Sequence, residues 1–245
     1  MTVSTIKDRL LAVRARIAEA CGRVNRPVES VTLVAVSKTH SAETVLQAVR
    51  CAQMHFGENR IEEAGGKISA VRAGTSELLT WHMVGHVQSR KAQEVIAAFD
   101  WIHSLDSLKL AERYARFATE SNRSPYILLE MNVSGEGSKS GIDAANWDQD
   151  RAKREVLWDV VRHIVALPNL RVAGLMTMAP IVEDIEQSRP VFASLRKLRD
   201  ALADDFSGTD WSTLSMGMTD DYPVAIEEGA TMIRIGRAIF GPREA

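Results

Sequence analysis

The stretch Val31-Thr-Leu-Val-Ala-Val-Ser37, which runs directly into Lys38, is a short apolar segment rich in β-branched residues. Such a segment predicts a buried strand, and residues 41–51 after it have helical spacing. The same strand-then-helix unit recurs along the chain. Further strands are predicted at residues 53–57, 81–85, 101–105, 126–133, 170–176, 213–216 and 232–235. This alternation is typical of parallel strands covered by helices.

Eight such units are the number that closes a (β/α)8 barrel. We therefore predict an α/β fold, a TIM-type barrel with an additional N-terminal helix over residues 4–21, in which Ser4 is the expected cap. An open doubly wound sheet is the alternative, but no Gly-x-Gly-x-x-Gly follows the first strand, where a dinucleotide-binding fold would carry one. Since no stretch has the composition of a linker, residues 1–245 are expected to form a single domain.

Charge and composition argue against several classes of partner. The net charge is −2, whereas a nucleic-acid-binding protein usually carries a basic excess. The two cysteines, Cys21 and Cys51, are expected to be free thiols. No apolar run approaches the ~18 residues that span a bilayer, and the N-terminus lacks the apolar core of a signal peptide. A cytoplasmic protein without nucleic-acid or membrane partners is expected.

Barrel proteins place functional residues at the carboxyl ends of their strands, and Lys38 follows the first strand. A lysine at the edge of an apolar core is often one that extends its ammonium group to water. The functional alternative is a partly desolvated amine, whose lowered pKa lets it attack a carbonyl carbon and form a Schiff base.

The ends of the last two strands suggest a phosphate site. Loops after strands seven and eight of such barrels often bind phosphate, and here they contain Ser215 and Gly236. Arg234 lies within the apolar strand Met-Ile-Arg-Ile235, where a charge must be paired or hydrogen-bonded. It is either a structural ion-pair member or a fixed donor toward a ligand.

Other polar residues near strand ends are interpreted as structural. His82 and His86 bracket a strand end, where four residues span about 13 Å, so a shared metal ion is not expected. With no Cys-x-x-Cys, the sequence predicts no metal site. Glu130 and Asp106 are expected to be structural or solvent-facing, and Met176 to be a core residue that can pack on a flat ring.

The sequence resembles the pyridoxal phosphate homeostasis proteins, which are single-domain relatives of the alanine racemase N-terminal barrel. The matching motifs are VAVSKT at residues 34–39, FGEN at 56–59, WHMVGHVQ at 81–88, NVSGE at 132–136 with SKSG at 138–141, GLMTMAP at 174–180, LSMGMTD at 214–220 and IRIGRAIFG at 233–241. The motifs occur in order between residues 34 and 241, so the resemblance covers essentially the whole chain.

The resemblance implies that the protein binds pyridoxal 5′-phosphate (PLP), held by Lys38 as a Schiff base. It implies that Ser215, Gly236 and Arg237 surround the phosphate, that Arg234 faces the pyridine nitrogen, and that Asn59 lies near the cofactor. Relatives often carry a small hydroxyl residue at the position of Arg237, so a hydroxyl contact to phosphate would be lost here. Arg90 stands where relatives often have asparagine.

The expected role is intracellular PLP homeostasis without strong catalytic activity, so no catalytic residue is assigned. An arginine facing the ring nitrogen leaves it unprotonated, which weakens the ring as an electron sink. Racemases also need a second acid–base group from another domain, and the chain is expected to lack that domain. A racemase-like PLP enzyme and a barrel enzyme for a phosphorylated metabolite are the alternatives. PLP and amino acids are the expected small-molecule partners, and a monomer is expected.

Overall fold

The computed structural model describes residues 4–137 and 140–241, and it is built from alternating strands and helices. The strands are β1 (Thr32–Val36), β2 (His55–Glu58), β3 (Thr80–Met83), β4 (Trp101–Leu105), β5 (Tyr126–Asn132), β6 (Ile142–Asp143), β7 (Arg171–Met176), β8 (Thr213–Ser215) and β9 (Met232–Ile235). The helices are α1 (Ile6–Arg23), α2 (Ala42–Val49), α3 (Ile61–Ala73), α4 (Ala92–Ala98), α5 (Leu108–Glu120), α6 (Arg151–Val165), α7 (Arg189–Asp205), α8 (Tyr222–Glu227) and α9 (Arg237–Phe240).

Eight of these strands close a parallel barrel, which confirms the predicted fold. Around the barrel the order is β1, β2, β3, β4, β5, β7, β8 and β9, and β9 pairs with β1 to close the ring. Strand β6 is extra: its two residues pair with the end of β5, and it is not among the strands predicted from the sequence. A two-residue strand has no periodicity from which it could be predicted.

The N-terminal helix is present as predicted and packs against α8 and α9. Its cap is Thr5 and not Ser4, because Thr5 and Asp8 exchange side-chain-to-backbone hydrogen bonds at the first turn. Its apolar face is buried from Ile6 to Cys21.

The main core lies between the outward faces of the strands and the surrounding helices. The barrel interior holds a much smaller apolar cluster of Leu128, Ala173 and Met176, against which Trp101 packs. Polar side chains occupy much of the remaining interior, and they lead to the carboxyl ends of the strands. No helix in the described part of the chain is long and apolar enough to cross a bilayer.

Candidate functional site

Register within the barrel places Lys38 beside two other predicted site residues. Val36 pairs with Gly57 on one side, and Ala35 pairs with Ile235 on the other. Lys38, two residues past Val36, is therefore flanked by the loops that carry Asn59 and Gly236. Lys38 and Asn59 are both half-buried.

Arg234 is held inside the barrel by two directed hydrogen bonds. Its Nη1 donates to Ser215 Oγ at 2.7 Å and its Nη2 donates to the Thr177 carbonyl oxygen at 3.0 Å. Only 4% of the residue is exposed. Desolvation lowers the pKa of Arg234 to about 10, against the opposing effect of Asp221 and Glu130, so the guanidinium keeps its charge at neutral pH. The structure thus joins Arg234 and Ser215, which the sequence singled out separately.

Three histidines extend this network through the barrel interior. His103 Nδ1 lies 2.9 Å from Ser215 Oγ, and His103 Nε2 lies 2.9 Å from His82 Nδ1. His82 Nε2 in turn lies 3.0 Å from His55 Nδ1. Burial lowers the pKa of all three imidazoles, and for His82 the neighbouring His103 and His55 lower it further.

His55 and His103 were not predicted from the sequence to be site residues, and His82 was considered only as a metal ligand. The alternation of side chains along a strand could have shown that these histidines face inward. His82 pairs with Gly57, an inward-facing position, and His55 lies two residues before Gly57 on the same face. His82 and His86 are indeed separated, since His86 is exposed and its Nδ1 lies 3.0 Å from Asp106 Oδ2. Among the residues described, no group of three or more His, Cys, Asp or Glu side chains could hold a metal ion.

Glu130 was expected to be either structural or solvent-facing, and the structure excludes the second alternative because the residue is buried. Only 3% of it is exposed. Desolvation, followed by the nearby Asp106, raises its pKa to about 7, while Arg234 and His86 act in the opposite direction. The site therefore contains a carboxyl group that changes its charge near neutral pH.

A buried ion pair supports the end of β1 immediately before Lys38. Lys67 Nζ on α3 donates to Glu58 Oε1 and to the Ser37 carbonyl oxygen, both at 2.8 Å. Ser37 Oγ also donates to Glu58 Oε1, at 2.6 Å. The Glu58 side chain is fully buried and that of Lys67 is 9% exposed. This cluster fixes the backbone from which the Lys38 side chain extends.

The remaining predicted residues lie in different surroundings. Gly236 is half-buried, and a Cβ added there would lie 3.2 Å from the Val36 carbonyl oxygen, so a larger residue would press on β1. The Arg237 side chain is exposed and pairs with Asp220 at 2.9 Å. Met176 is buried in the interior apolar cluster. The motif residues Ser138 and Lys139 lie outside the described residues.

A family model described as the N-terminal domain of alanine racemase matches residues 9–244. A pyridoxal phosphate homeostasis protein of Pseudomonas aeruginosa is 40% identical over 99% of this chain and 97% of its own length. The chain belongs to the pyridoxal phosphate homeostasis protein family. A member of this family from Escherichia coli K12 is 37% identical over 99% of this chain and 98% of its own.

Solved structures agree with this membership. PipY of Synechococcus elongatus, determined with PLP bound, superposes with a TM-score of 0.79 at 36% identity and covers 97% of this chain. Alanine racemase of Clostridium difficile superposes with a TM-score of 0.67 at 12% identity, over 58% of that enzyme's chain. The second likeness establishes the shared barrel fold alone.

Proposed function

We propose that this protein binds PLP at the mouth of its barrel, with Lys38 as the covalent anchor, and acts in PLP homeostasis. The observation that carries the proposal is the arrangement at three adjacent strands: a half-buried lysine after β1, a buried arginine in β9 and a buried serine at the end of β8. The identity of the cofactor comes from the relatives, because both their family name and the PLP-bound PipY structure specify PLP.

The residues present suit PLP. Neighbouring strands are about 4.8 Å apart, so β8 lies about 10 Å from β1 across β9, which leaves room for a ring between an amine and a phosphate group. Gly217, which follows β8, has a φ of 93°, and a Cβ there would lie 2.7 Å from the Cβ of Ala225. Gly217 thus keeps the loop after β8 close to α8, and Gly236 keeps the loop after β9 close to β1. At both positions the missing side chain lets backbone groups approach an anion.

Each residue has a distinct role in this proposal. Bound PLP supplies an aldehyde for an amine and a ring that can withdraw electrons. Lys38 forms the Schiff base, Ser215 and the backbone at Gly236 hold the phosphate, and Asn59 and Met176 line the cofactor. Arg237 contributes its backbone N–H, while its side chain pairs with Asp220.

Arg234 favours a carrier over a catalyst. Its guanidinium has only N–H donors, so a ring nitrogen that faces it keeps its lone pair and stays unprotonated. A cationic neighbour also disfavours protonation of that nitrogen. We therefore propose a non-enzymatic role. We also propose that the protein is a single barrel domain and occurs as a monomer in the cytoplasm. Its proposed small-molecule partners are PLP and amino acids, and no nucleic-acid partner is proposed.

The test is an absorbance titration of the purified protein with PLP. A Schiff base gives a band near ~420 nm. We expect the wild-type protein and a Lys153→Ala control, altered on an exposed helix face, to give this band, and Lys38→Ala to lose it. An unchanged band in Lys38→Ala would refute the role of Lys38, and turnover of L- or D-amino acids by the wild-type protein would refute the non-enzymatic role.

A further inference from the structure

The three interior histidines, His55, His82 and His103, form what we call the histidine relay, and it crosses the barrel lengthwise. His55 starts β2, at the end of the barrel opposite the Lys38 site, and is half-buried. His82 lies level with Gly57, two residues farther along, and His103 is two residues beyond Trp101, the partner of His82. The two residues along β2 and the two along β4 together correspond to about 13 Å of rise along the strands. The relay therefore links the far end of the barrel to Ser215.

The proton count along the relay permits two arrangements. Arg234 can only donate, so it occupies one lone pair of Ser215 Oγ. The Ser215 hydroxyl has a single proton, which either goes to His103 or points elsewhere. If it goes to His103, then His103 donates from Nε2 to His82, and His82 donates from Nε2 to His55. If it points elsewhere, every donor in the relay reverses.

The histidines are well suited to such a reversal because each keeps a single proton. Both ring nitrogens of His82 and both of His103 are engaged within 3.0 Å. Both residues are fully buried at 0% exposure, and burial lowers the pKa of each imidazole well below its usual value. The charged Arg234 lies near His103 and lowers its pKa further. A neutral imidazole has one donor and one acceptor nitrogen, so fixing one hydrogen bond fixes the next.

We propose that the histidine relay positions the Ser215 hydroxyl for phosphate, and that phosphate binding sets the tautomer of all three histidines. With phosphate accepting the Ser215 proton, His103, His82 and His55 each carry their proton on Nδ1. Without it, Ser215 donates to His103 and each histidine carries its proton on Nε2. His103 and His82 are positioning residues, and the inference rests on the proposed contact of Ser215 with the PLP phosphate.

The reversal balances in protons. Ser215 gives its proton to His103 Nδ1 and takes one from water or ligand at the barrel mouth. His103 passes its Nε2 proton to His82 Nδ1, His82 passes its Nε2 proton to His55 Nδ1, and the Nε2 proton of His55 leaves to water. One proton enters at the mouth, one leaves at the far end, and every imidazole stays neutral.

The direct test is the tautomer of each histidine, measured by ¹⁵N–¹H correlation spectra of histidine-labelled wild-type protein. Three states are compared: without ligand, with PLP, and with pyridoxal, which lacks the phosphate. We expect Nδ1–H at His82 and His103 with PLP, and Nε2–H in the other two states. Identical tautomers in all three states would overturn the relay if the ~420 nm band has formed with PLP. Absence of that band would instead contradict the proposed function.

Variants at His103 give a second readout. His103→Leu removes the donor to Ser215, and we expect its affinity for PLP to fall about 5- to 10-fold while its affinity for pyridoxal is unchanged. His103→Asn places an amide donor near the Nδ1 position and should stay within about twofold of the wild-type affinity for PLP. His163→Asn on the exposed face of α6 is the matched control. Wild-type affinity in His103→Leu would contradict the positioning role.

Discussion

Replacing Lys67 by methionine tests how the chain before Lys38 is held. The substitution removes both hydrogen bonds from Nζ, to Glu58 Oε1 and to the Ser37 carbonyl oxygen. Glu58 would keep its bond from Ser37 Oγ, but its Oε2 is already buried without a partner among the described residues. A fully buried carboxylate would thus lose the cation that compensates its desolvation.

Removing one partner of a buried ion pair lowers the free energy of unfolding by about 3–5 kcal/mol. Domains are stable by about 5–15 kcal/mol in all, so Lys67→Met should lose a large share of the free energy of unfolding. For a chain of this size each kcal/mol shifts Tm by about 2–4 °C, which gives a decrease of about 6–20 °C. Urea unfolding and a thermal scan, both followed by circular dichroism, measure these two quantities.

Two further variants make the result interpretable. Glu58→Gln combined with Lys67→Met removes both charges and leaves an amide oxygen for Ser37 Oγ, so it should be more stable than Lys67→Met alone. Lys153→Met, on an exposed face of α6, should change stability by less than about 0.5 kcal/mol. A loss below about 1 kcal/mol in Lys67→Met, or a double variant less stable than the single one, would refute the reasoning.

Glu130 should give stability a pH dependence. Its folded-state pKa of about 7 exceeds its ordinary value of 4.5, so between these two pH values the folded protein binds a proton that the unfolded protein does not. The stability that Glu130 contributes in its protonated form is therefore fully present below about pH 4.5 and is lost as the pH rises through 7. Urea unfolding of Glu130→Gln should show a gain over wild type that is about 2–3 kcal/mol larger at pH 8 than at pH 5, and an equal gain at both would contradict the raised pKa. Two glycines should respond oppositely to alanine. Gly66→Ala in α3, with open space around it, should raise stability by about 0.5–1 kcal/mol. Gly174→Ala, at φ 144° with its Cβ 1.9 Å from the Thr213 carbonyl oxygen, should lose more than about 4 kcal/mol or fail to fold. Chemical denaturation measures both, and a stable Gly174→Ala protein would contradict the close approach of β7 and β8.

The barrel was predictable because its evidence is local. Strands β4 and β9 have the predicted bounds, since each is a short run of buried residues between helical segments. The β-strand at Ile142–Asp143 was not predicted, because its two residues are defined only by pairing with the end of β5. The cap at Thr5 was placed one residue too early, as cap positions depend on local geometry that composition does not fix.

Candidate site residues could be recognised from the sequence only where they stand at a strand end or carry a charge inside an apolar strand. Lys38, Ser215 and Arg234 were identified from their positions, but the hydrogen bond between His103 and Ser215 joins residues 112 positions apart. Which inward-facing side chains meet depends on strand register and barrel tilt, and neither is written in a single strand. Lys67 was missed for the same reason: it is a helix residue whose buried partner lies on another element.

The covalent link at Lys38 is the central claim, and mapping the reduced adduct tests it most directly. The PLP-loaded protein is treated with borohydride, which converts a Schiff base into a stable amine, and is then digested and analysed by peptide mass spectrometry. We predict loss of the ~420 nm band and a single pyridoxyl adduct on the peptide that contains Lys38. An adduct on another lysine, or a band that disappears without any adduct on Lys38, would contradict the account.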